Sequence, residues 1–376
     1  MMKAIRNRWM SLVLALLMLF TLAACGPASG GESTPPANSS GPEQPSDAPG
    51  GRTEPLVLRV GWPTTGQEGD VVLPGIDAVC SYVTEKSGGM ITFEYFPNQL
   101  LGTETDMTDQ LITGDLDIGV ISNNVAATYW PEFYIYGLPF AFDSFEKFWD
   151  LCGIEGWNDG AFTKAIREAV ESTGQVHFLD VVCNTYRGMQ SNGRPVTSLG
   201  DFEGLTLRVQ AGELYADIYY ALGASTASIP FGELYTSMQS GVVDAEDVGI
   251  ATCVTNRYYE VEEYAVELNH CMTANLMLMS NKCFDQLTEE ERQWFMEGCL
   301  LAEEAAYEAV STGDEAAYQL YADNGVTVIR HEELDGADLQ EMRDATTPVW
   351  DKYKALIDEE VFNLFETGLA ELNAEG

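Results

Sequence analysis

Positive charge is scarce in this chain. Among its 376 residues, 19 are Lys or Arg and 59 are Asp or Glu, which gives a formal net charge of −40 at pH 7. A surface this acidic repels polyanions, so the charge argues against binding to nucleic acid and against adsorption to anionic lipid. An arginine inside a strand of such a chain therefore needs an explanation.

Motifs that hold metals or perform catalysis are also lacking. The sequence has three histidines and, beyond Cys25, seven cysteines, none of them in a CxxC or Cys/His spacing typical of a metal site. GxSxG, P-loop, GxGxxG and HExxH patterns are absent. We therefore expect no catalytic residues, no metal and no cofactor. Buried thiols are the favoured interpretation of the cysteines, and one or two disulfides are the alternative, since an exported protein meets oxidising conditions.

Only one long apolar run is present, SLVLALLMLFTLAA at residues 11–24, and it follows three basic residues. A run of about fourteen residues falls short of the ~20 needed to cross a bilayer, and the pattern is typical of a signal peptide. The stretch Leu22-Ala-Ala-Cys25 resembles a bacterial lipobox, in which the cysteine is lipidated and becomes the first residue of the mature protein. We therefore predict a lipoprotein signal peptide at 1–24 and lipidation of Cys25. The alternative is an ordinary cleaved secretory peptide with a chance cysteine.

Residues 25–55 are dominated by Pro, Gly and Ser and have no apolar period. This composition predicts a disordered, solvated tether. The N-terminal region as a whole predicts a protein that is exported and held by a lipid anchor at the outer face of the cell membrane.

The remaining body of about 320 residues exceeds one comfortable hydrophobic core, so two lobes are expected. Strands and helices alternate from PLVLRVGW (55–62) to DIGVISN (117–123), and a second such series begins at HFLDVVC (177–183). Alternation of this kind predicts parallel sheets with crossover helices. The segment LTEEER (287–292) carries a capping box, which starts a helix predicted to run from about 288 to 322.

These patterns predict an α/β fold with two lobes and a long helix between them. Lobe I is expected to lie mainly within residues 56–180 and lobe II mainly within residues 181–285. Residues 286–376 are expected to form the long helix and C-terminal helices that span both lobes.

The ends of the predicted strands indicate where a ligand would bind. In open α/β sheets, ligands lie outside the carboxyl ends of the strands, which here brings Trp62, Asn123, Asn124 and Arg208 towards one crevice. Within LTLRVQ (205–210), alternation puts Arg208 on the polar face of its strand. The alternative is that Arg208 points into water or pairs with one of the many carboxylates.

Six pieces of the sequence, in order from about residue 56 to about residue 330, resemble the solute-binding proteins of tripartite ATP-independent periplasmic (TRAP) transporters. They include VTEKSGGMITFEYFPNQLLGTETDM, LITGDLDIGVIS and YGLPFAF, and the most specific are GRPVTSLGDFEGLTLRV and ALGASTASIPFGELYTSMQSGVVDAED. The resemblance implies a periplasmic-binding-protein-like fold of the type II kind, with an organic acid bound between the lobes.

The resemblance also implies roles for individual residues. The family arginine that binds the carboxylate of the ligand matches Arg208, a second family arginine matches Arg187, and an aromatic residue that contacts the ligand matches Phe231. An always-charged, planar, two-pronged donor is well suited to a carboxylate.

One segment departs from the family pattern. Where the family has an acidic stretch that ends in Asn or Trp, this chain reads Asp244-Ala-Glu246-Asp247-Val248. Val248 cannot donate the hydrogen bond of an asparagine, so we expect the second half of the ligand to be recognised differently. Asp247 is a candidate to accept a hydrogen bond from the ligand, to coordinate a cation or to cap a strand, and the sequence leaves these roles open.

The function implied by the resemblance is that of an extracytoplasmic solute-binding protein and not an enzyme. It would act as a monomer, capture a small carboxylate-bearing solute and deliver it to the integral membrane subunits of a TRAP permease. One alternative is a binding protein of an ATP-driven importer. Another, of a different class, is an exported hydrolase that uses a pair of carboxylates, although glutamate runs such as Glu289–Glu291 are better explained as solvated helix ends.

Overall fold

The computed structural model of the chain describes residues 49–375. The predicted signal peptide, Cys25 and most of the predicted tether lie outside the described residues.

The described residues form strands and α-helices in alternation. The strands are β1 (Leu56–Gly61), β2 (Ile91–Phe96), β3 (Ile118–Ser122), β4 (Val176–Tyr186), β5 (Met189–Ser191), β6 (Thr206–Val209), β7 (Ser225–Ser228), β8 (Ala245–Glu246), β9 (Tyr264–Val266), β10 (Met272–Ser280) and β11 (Thr327–Ile329). The α-helices are α1 (Leu73–Lys86), α2 (Glu104–Thr113), α3 (Asn123–Ala126), α4 (Phe145–Cys152), α5 (Trp157–Glu171), α6 (Leu214–Leu222), α7 (Leu234–Gln239), α8 (Ile250–Thr255), α9 (Asn281–Phe284), α10 (Glu289–Asp323), α11 (Gly336–Ala345), α12 (Thr347–Lys354) and α13 (Glu359–Glu375).

The first sheet has five strands in the order β2-β1-β3-β10-β4. Strand β1 is parallel to β2 and β3, as the strand–helix–strand series predicts. Strand β10 is antiparallel to both β3 and β4, so the prediction of a purely parallel sheet is wrong for this side. The reason is the path of the chain, which leaves the first sheet through β4 and returns to it through β10 in the opposite direction.

The second sheet has six strands in the order β11-β9-β5-β8-β6-β7. Strand β6 is parallel to β7 and β8, whereas β5 is antiparallel to β8 and β9. The prediction of parallel pairing therefore holds around β6 and is wrong for β5. The two sheets are the centres of the two lobes.

Two short crossing segments carry the chain between the sheets: residues 187–188, which join β4 to β5, and residues 267–271, which join β9 to β10. They run side by side, because the backbone N–H of Arg187 donates to the carbonyl of Cys271 at 2.9 Å. Strand β10 lies in the range predicted for lobe II, but it belongs to the first sheet. The first lobe is therefore built from two separate stretches of the sequence. The residue boundaries of the lobes stay a prediction.

The predicted long helix is confirmed as α10, which has 35 residues. The Thr288 hydroxyl accepts from the backbone N–H of Glu291 at 3.2 Å, and the Glu291 carboxylate accepts from the N–H of Thr288 at 2.9 Å, which is the capping box expected from LTEEER. The helix packs against α1 and β4 on the side of the first sheet and against α8 and β11 on the side of the second. It therefore contacts elements of both lobes.

The described cysteines are all buried and unpaired, in agreement with the favoured interpretation of the sequence; they are Cys80, Cys152, Cys183, Cys253, Cys271, Cys283 and Cys299. Burial raises the pKa of each thiol, for instance that of Cys80 to about 12, because the charged thiolate loses its hydration. Between residues 49 and 375, no helix combines the length and the apolar character that a membrane crossing requires.

Candidate functional site

Arg208 lies near the end of β6, between the parallel strands β7 and β8. Leu207 and Val209 are buried on the opposite face, as the alternation predicts, but Arg208 is buried as well, with only 1% of its surface exposed. Its Nε donates to the carbonyl of Ile229 at 2.9 Å, whereas its Nη2 has no hydrogen-bond partner among the described residues. The alternative in which Arg208 points into water is therefore wrong.

The electrostatics of Arg208 follow from that burial. Burial lowers the pKa of Arg208 below its ordinary value, and the nearby Arg187 cation lowers it further, while the carboxylates of Asp247 and Glu246 oppose the shift. A guanidinium stays protonated under all ordinary conditions. The lowered pKa of Arg208 therefore means that its positive charge lies in an unfavourable environment. Arg208 is therefore a buried cation that forms no ion pair with any described residue.

Arg208 lines a cleft between the two lobes. The cleft is defined by eleven residues, of which the first five come from the first lobe and the rest from the second: Gln99, Thr103, Glu104, Thr105, Val125, Arg208, Gln210, Ala211, Ser228, Pro230 and Phe231. Of the predicted site residues, Arg208 and Phe231 therefore share one wall. Phe231 is partly buried and its ring centroid lies 6.2 Å from that of Tyr258.

Glu104 is the carboxylate of the cleft, and the sequence analysis did not single it out. It is the first residue of α2 and is 8% exposed. Its Oε1 accepts from the backbone N–H of Ser122, at the end of β3, at 2.7 Å. Burial raises the pKa of Glu104, whereas hydrogen bonds from Ser122 and the positive charges of Arg208 and Arg187 lower it, and the net shift is upward. An acidic residue at a helix start ordinarily complements the helix dipole in solvent, so its sequence position alone gave no reason to select it.

Arg187 lies in the first crossing segment and is 2% exposed. Its Nε donates to Asp247 Oδ2 at 2.7 Å, its Nη2 donates to Asp247 Oδ1, and its Nη1 donates to the hydroxyl of Thr273. The guanidinium also lies over the ring of Tyr215, 4.1 Å from the centroid. Burial alone would lower the pKa of Arg187, but the Asp247 carboxylate raises it well above the ordinary value. Arg187 and Asp247 thus form a buried ion pair with two-pronged geometry.

Asp247 is further held by Tyr219, whose hydroxyl donates to Oδ2 at 2.5 Å. The same hydroxyl oxygen lies 2.6 Å from Nε2 of His270, and burial lowers the pKa of that imidazole to about 4. Because the proton of Tyr219 is committed to Asp247, the neutral His270 donates through Nε2. Burial would raise the pKa of Asp247, but Arg187, Tyr219 and His270 lower it below its ordinary value. Both oxygens of Asp247 are therefore engaged by protein donors.

Asn123 and Asn124 begin α3 at the end of β3, and both are fully buried. The Oδ1 of Asn123 accepts from the hydroxyl of Tyr215 at 3.2 Å and from the N–H of Ala274 at 3.1 Å. The Nδ2 of Asn124 donates to the carbonyl of Ala211 at 2.6 Å. Both asparagines join the lobes, but neither is among the cleft residues.

Two further contacts hold the lobes together at this point. The Nε2 of Gln210 donates to the hydroxyl of Ser122 at 3.0 Å. Gly212 has a φ of +103°, and a Cβ there would lie 2.5 Å from the carbonyl oxygen of Asn124, so glycine permits the close approach of the two backbones. The end of β3 and the end of β6 are therefore in direct contact beside the cleft.

Trp62 and Val248 are not among the cleft residues. Trp62 is 1% exposed, and its indole N–H donates to Asp70 at 3.4 Å, which fixes the loop after β1. Val248 is buried beside Asp247, and its backbone N–H donates to Glu246 at 2.6 Å. Among residues 49–375, no group of three or more His, Cys, Asp or Glu side chains could hold a metal ion.

The molecule has two β-sheets with flanking helices, joined by paired crossing segments, and a buried cation lies in the cleft between them. This arrangement defines a two-lobed binding protein. The sequence model of the bacterial extracellular solute-binding proteins, family 7, matches residues 64–356. The chain belongs to this family. The resemblance to TRAP solute-binding proteins inferred from the sequence is thereby confirmed.

The proteins to which the chain is similar include a curated relative and two solved structures. The uncharacterized protein y4mM of Sinorhizobium fredii is 32% identical over 198 residues, which are 53% of this chain and 35% of that protein. The chain thus spans about a third of the length of this relative. A TRAP periplasmic solute-binding protein of Anaerococcus prevotii with bound α/β-D-glucuronate is 25% identical, with a TM-score of 0.76 over 85% of this chain and 99% of that one. A TRAP periplasmic solute-binding protein of a Sulfitobacter species with bound β-D-galacturonate is 26% identical, with a TM-score of 0.73 over 82% and 98%.

Proposed function

We propose that this protein captures a small carboxylate-bearing solute in the cleft and delivers it to a TRAP-type membrane permease. The observation that carries the proposal is Arg208, a buried guanidinium in the cleft whose Nη2 has no partner among the described residues. A buried charge is costly unless it is paired, and a solute carboxylate provides a pair with two-pronged geometry. The uronates bound by the two similar proteins are carboxylates of this kind.

The neighbouring ion pair supports the assignment of the carboxylate to Arg208. Arg187 already uses three of its donors on Asp247 and Thr273, so its charge is matched within the protein. A direct contact between Arg187 and the solute, as the resemblance implies, would have to use the remaining N–H groups. Phe231, on the same wall as Arg208, offers an apolar face to the carbon skeleton of the solute.

The proposal is tested by calorimetric titration and thermal melting of the purified protein with D-glucuronate and D-galacturonate. D-Glucose and D-galactose are the matched controls, because they lack the carboxylate. We expect saturable binding of the acids with unchanged acid after prolonged incubation, and no binding of the neutral sugars. At a ligand concentration a hundredfold above Kd, binding stabilises the folded state by about 2.7 kcal/mol, which raises the melting temperature. Equal binding of acid and neutral sugar would contradict a role for Arg208 as carboxylate receptor, and turnover of the acid would favour the hydrolase.

We further propose that the protein is exported, anchored by lipid at Cys25 and active as a monomer at the outer face of the membrane. The lipobox-like Leu22-Ala-Ala-Cys25 and the Pro/Gly/Ser-rich residues behind it support the anchor. We expect Cys25→Ala to release the protein from the membrane fraction while its ligand-induced melting shift remains. Retention of the Cys25→Ala protein in the membrane fraction would show that the cysteine is not the anchor.

A further inference from the structure

The cleft offers a solute one cation. Arg187 and Asp247 form an ion pair and contribute no net charge. Among the cleft residues, the only ionisable side chains are Arg208 and Glu104, one from each lobe. The described site can therefore neutralise one carboxylate on the solute, and it has no second free cation for another.

Glu104 retains capacity to bind a ligand. A carboxylate can accept about four hydrogen bonds, whereas the N–H and hydroxyl of Ser122 provide at most two. Glu104 and Arg208 line the same cleft from different lobes, and the charges of Arg208 and Arg187 lower the pKa of Glu104. Glu104 is nevertheless not close enough to Arg208 to form an ion pair with it in the described structure.

The remaining walls of the cleft are polar and uncharged. Side-chain amides come from Gln99 and Gln210, and hydroxyls come from Thr103, Thr105 and Ser228. Groups of this kind exchange hydrogen bonds with hydroxyls, and they carry no positive charge to offset a second carboxylate beside Glu104.

We propose, on the basis of the proposed function, that the solute has a single carboxylate, held by Arg208, and hydroxyl groups that donate to Glu104. The protein then selects hydroxylated monocarboxylates, such as sugar acids, and rejects dicarboxylates. Rejection follows because the second carboxylate of a dicarboxylate meets Glu104, and a like charge desolvated at that point is repelled. Glu104 is the residue that determines this specificity.

The experiment compares three kinds of acid by calorimetric titration at fixed pH and ionic strength. The hydroxylated monocarboxylates are D-glucuronate, D-galacturonate and D-gluconate, the dicarboxylates are succinate and L-malate, and butyrate is a monocarboxylate without hydroxyls. We expect the best sugar acid to bind wild-type protein at least tenfold more tightly than either dicarboxylate or butyrate.

Glu104→Gln should reduce that preference for sugar acids over dicarboxylates at least tenfold. The amide has nearly the same shape and its oxygen can still accept from the Ser122 N–H, so melting curves of the variant should show a folded protein. Glu233→Gln is the matched control, because it removes the same charge from an exposed residue two positions after Phe231 that does not line the cleft. The control should leave the preference unchanged.

The outcomes separate the inference from the function on which it rests. If no acid of any kind binds, the proposed function is wrong and the inference fails with it. If a dicarboxylate binds wild type as tightly as the best sugar acid, or if Glu104→Gln leaves the preference intact, the inference is wrong while the proposed function stands.

Discussion

Arg208→Gln should weaken binding of the solute by roughly thirtyfold to several thousandfold. Truncating one partner of a buried charge pair costs on the order of 2–5 kcal/mol, at about 1.4 kcal/mol per decade of affinity. Arg208→Lys should restore little of the loss, because an ammonium cannot reproduce the planar, two-pronged contact. Calorimetric titration of both variants with the tightest acid found for wild-type protein measures the effect. Binding within threefold of wild type would show that Arg208 does not hold the carboxylate.

The same substitution should have little effect on the stability of the ligand-free protein. Arg208 is a buried charge without an ion-pair partner, so replacing it with a neutral amide removes an unfavourable desolvation. The lost hydrogen bond to Ile229 offsets part of that gain, by about 1 kcal/mol. We therefore expect the free energy of unfolding in urea to fall by no more than about 1 kcal/mol, or to rise. A large loss would show that Arg208 supports the fold.

Arg187→Gln should have the opposite profile and destabilise the protein by about 3–5 kcal/mol. Removing one partner of a buried ion pair leaves the other charge buried and uncompensated, here that of Asp247. The pair also links the first crossing segment to Asp247, the residue that follows β8. Its loss therefore removes a contact that holds the crossing segment in place. Urea denaturation of ligand-free protein gives the measurement.

Two further variants make the test of Arg187 specific. Arg187→Gln combined with Asp247→Asn should recover more than half of the lost stability, because the double variant has no unpaired buried charge. Arg59→Gln removes a partly exposed arginine, 3.5 Å from Asp117, and should cost no more than about 1 kcal/mol. If Arg187→Gln costs as little as Arg59→Gln, the buried pair does not stabilise the crossing.

Local signals in the sequence were sufficient for much of the fold. The capping box at Thr288 and Glu291 predicts the start of α10 to within one residue, and alternation around Arg208 places its side chain towards the cleft. Both signals depend on residues a few positions apart. The order of motifs then identifies the family without reference to three-dimensional contacts.

The features that could not be predicted from the sequence depend on contacts between residues far apart in the chain. The place of β10 between β3 and β4 depends on residues about 90 to 160 positions away, and nothing within its own run indicates it. Arg187 and Asp247 are 60 positions apart, so the pairing that neutralises Arg187 could not be read from either segment. The sequence position of Trp62 at a strand end likewise does not indicate that its indole packs against Tyr95 and donates to Asp70.

The burial of every described cysteine has a practical consequence for labelling. A maleimide reagent reacts with accessible thiolates, and the buried thiols of the folded body are both inaccessible and raised in pKa. Cysteines introduced at Leu100 and Val242, which are 67% and 60% exposed and lie on different lobes, would therefore take up fluorophores selectively. Energy transfer between the two dyes then reports the separation of the lobes in solution, without removal of the native cysteines from the described body.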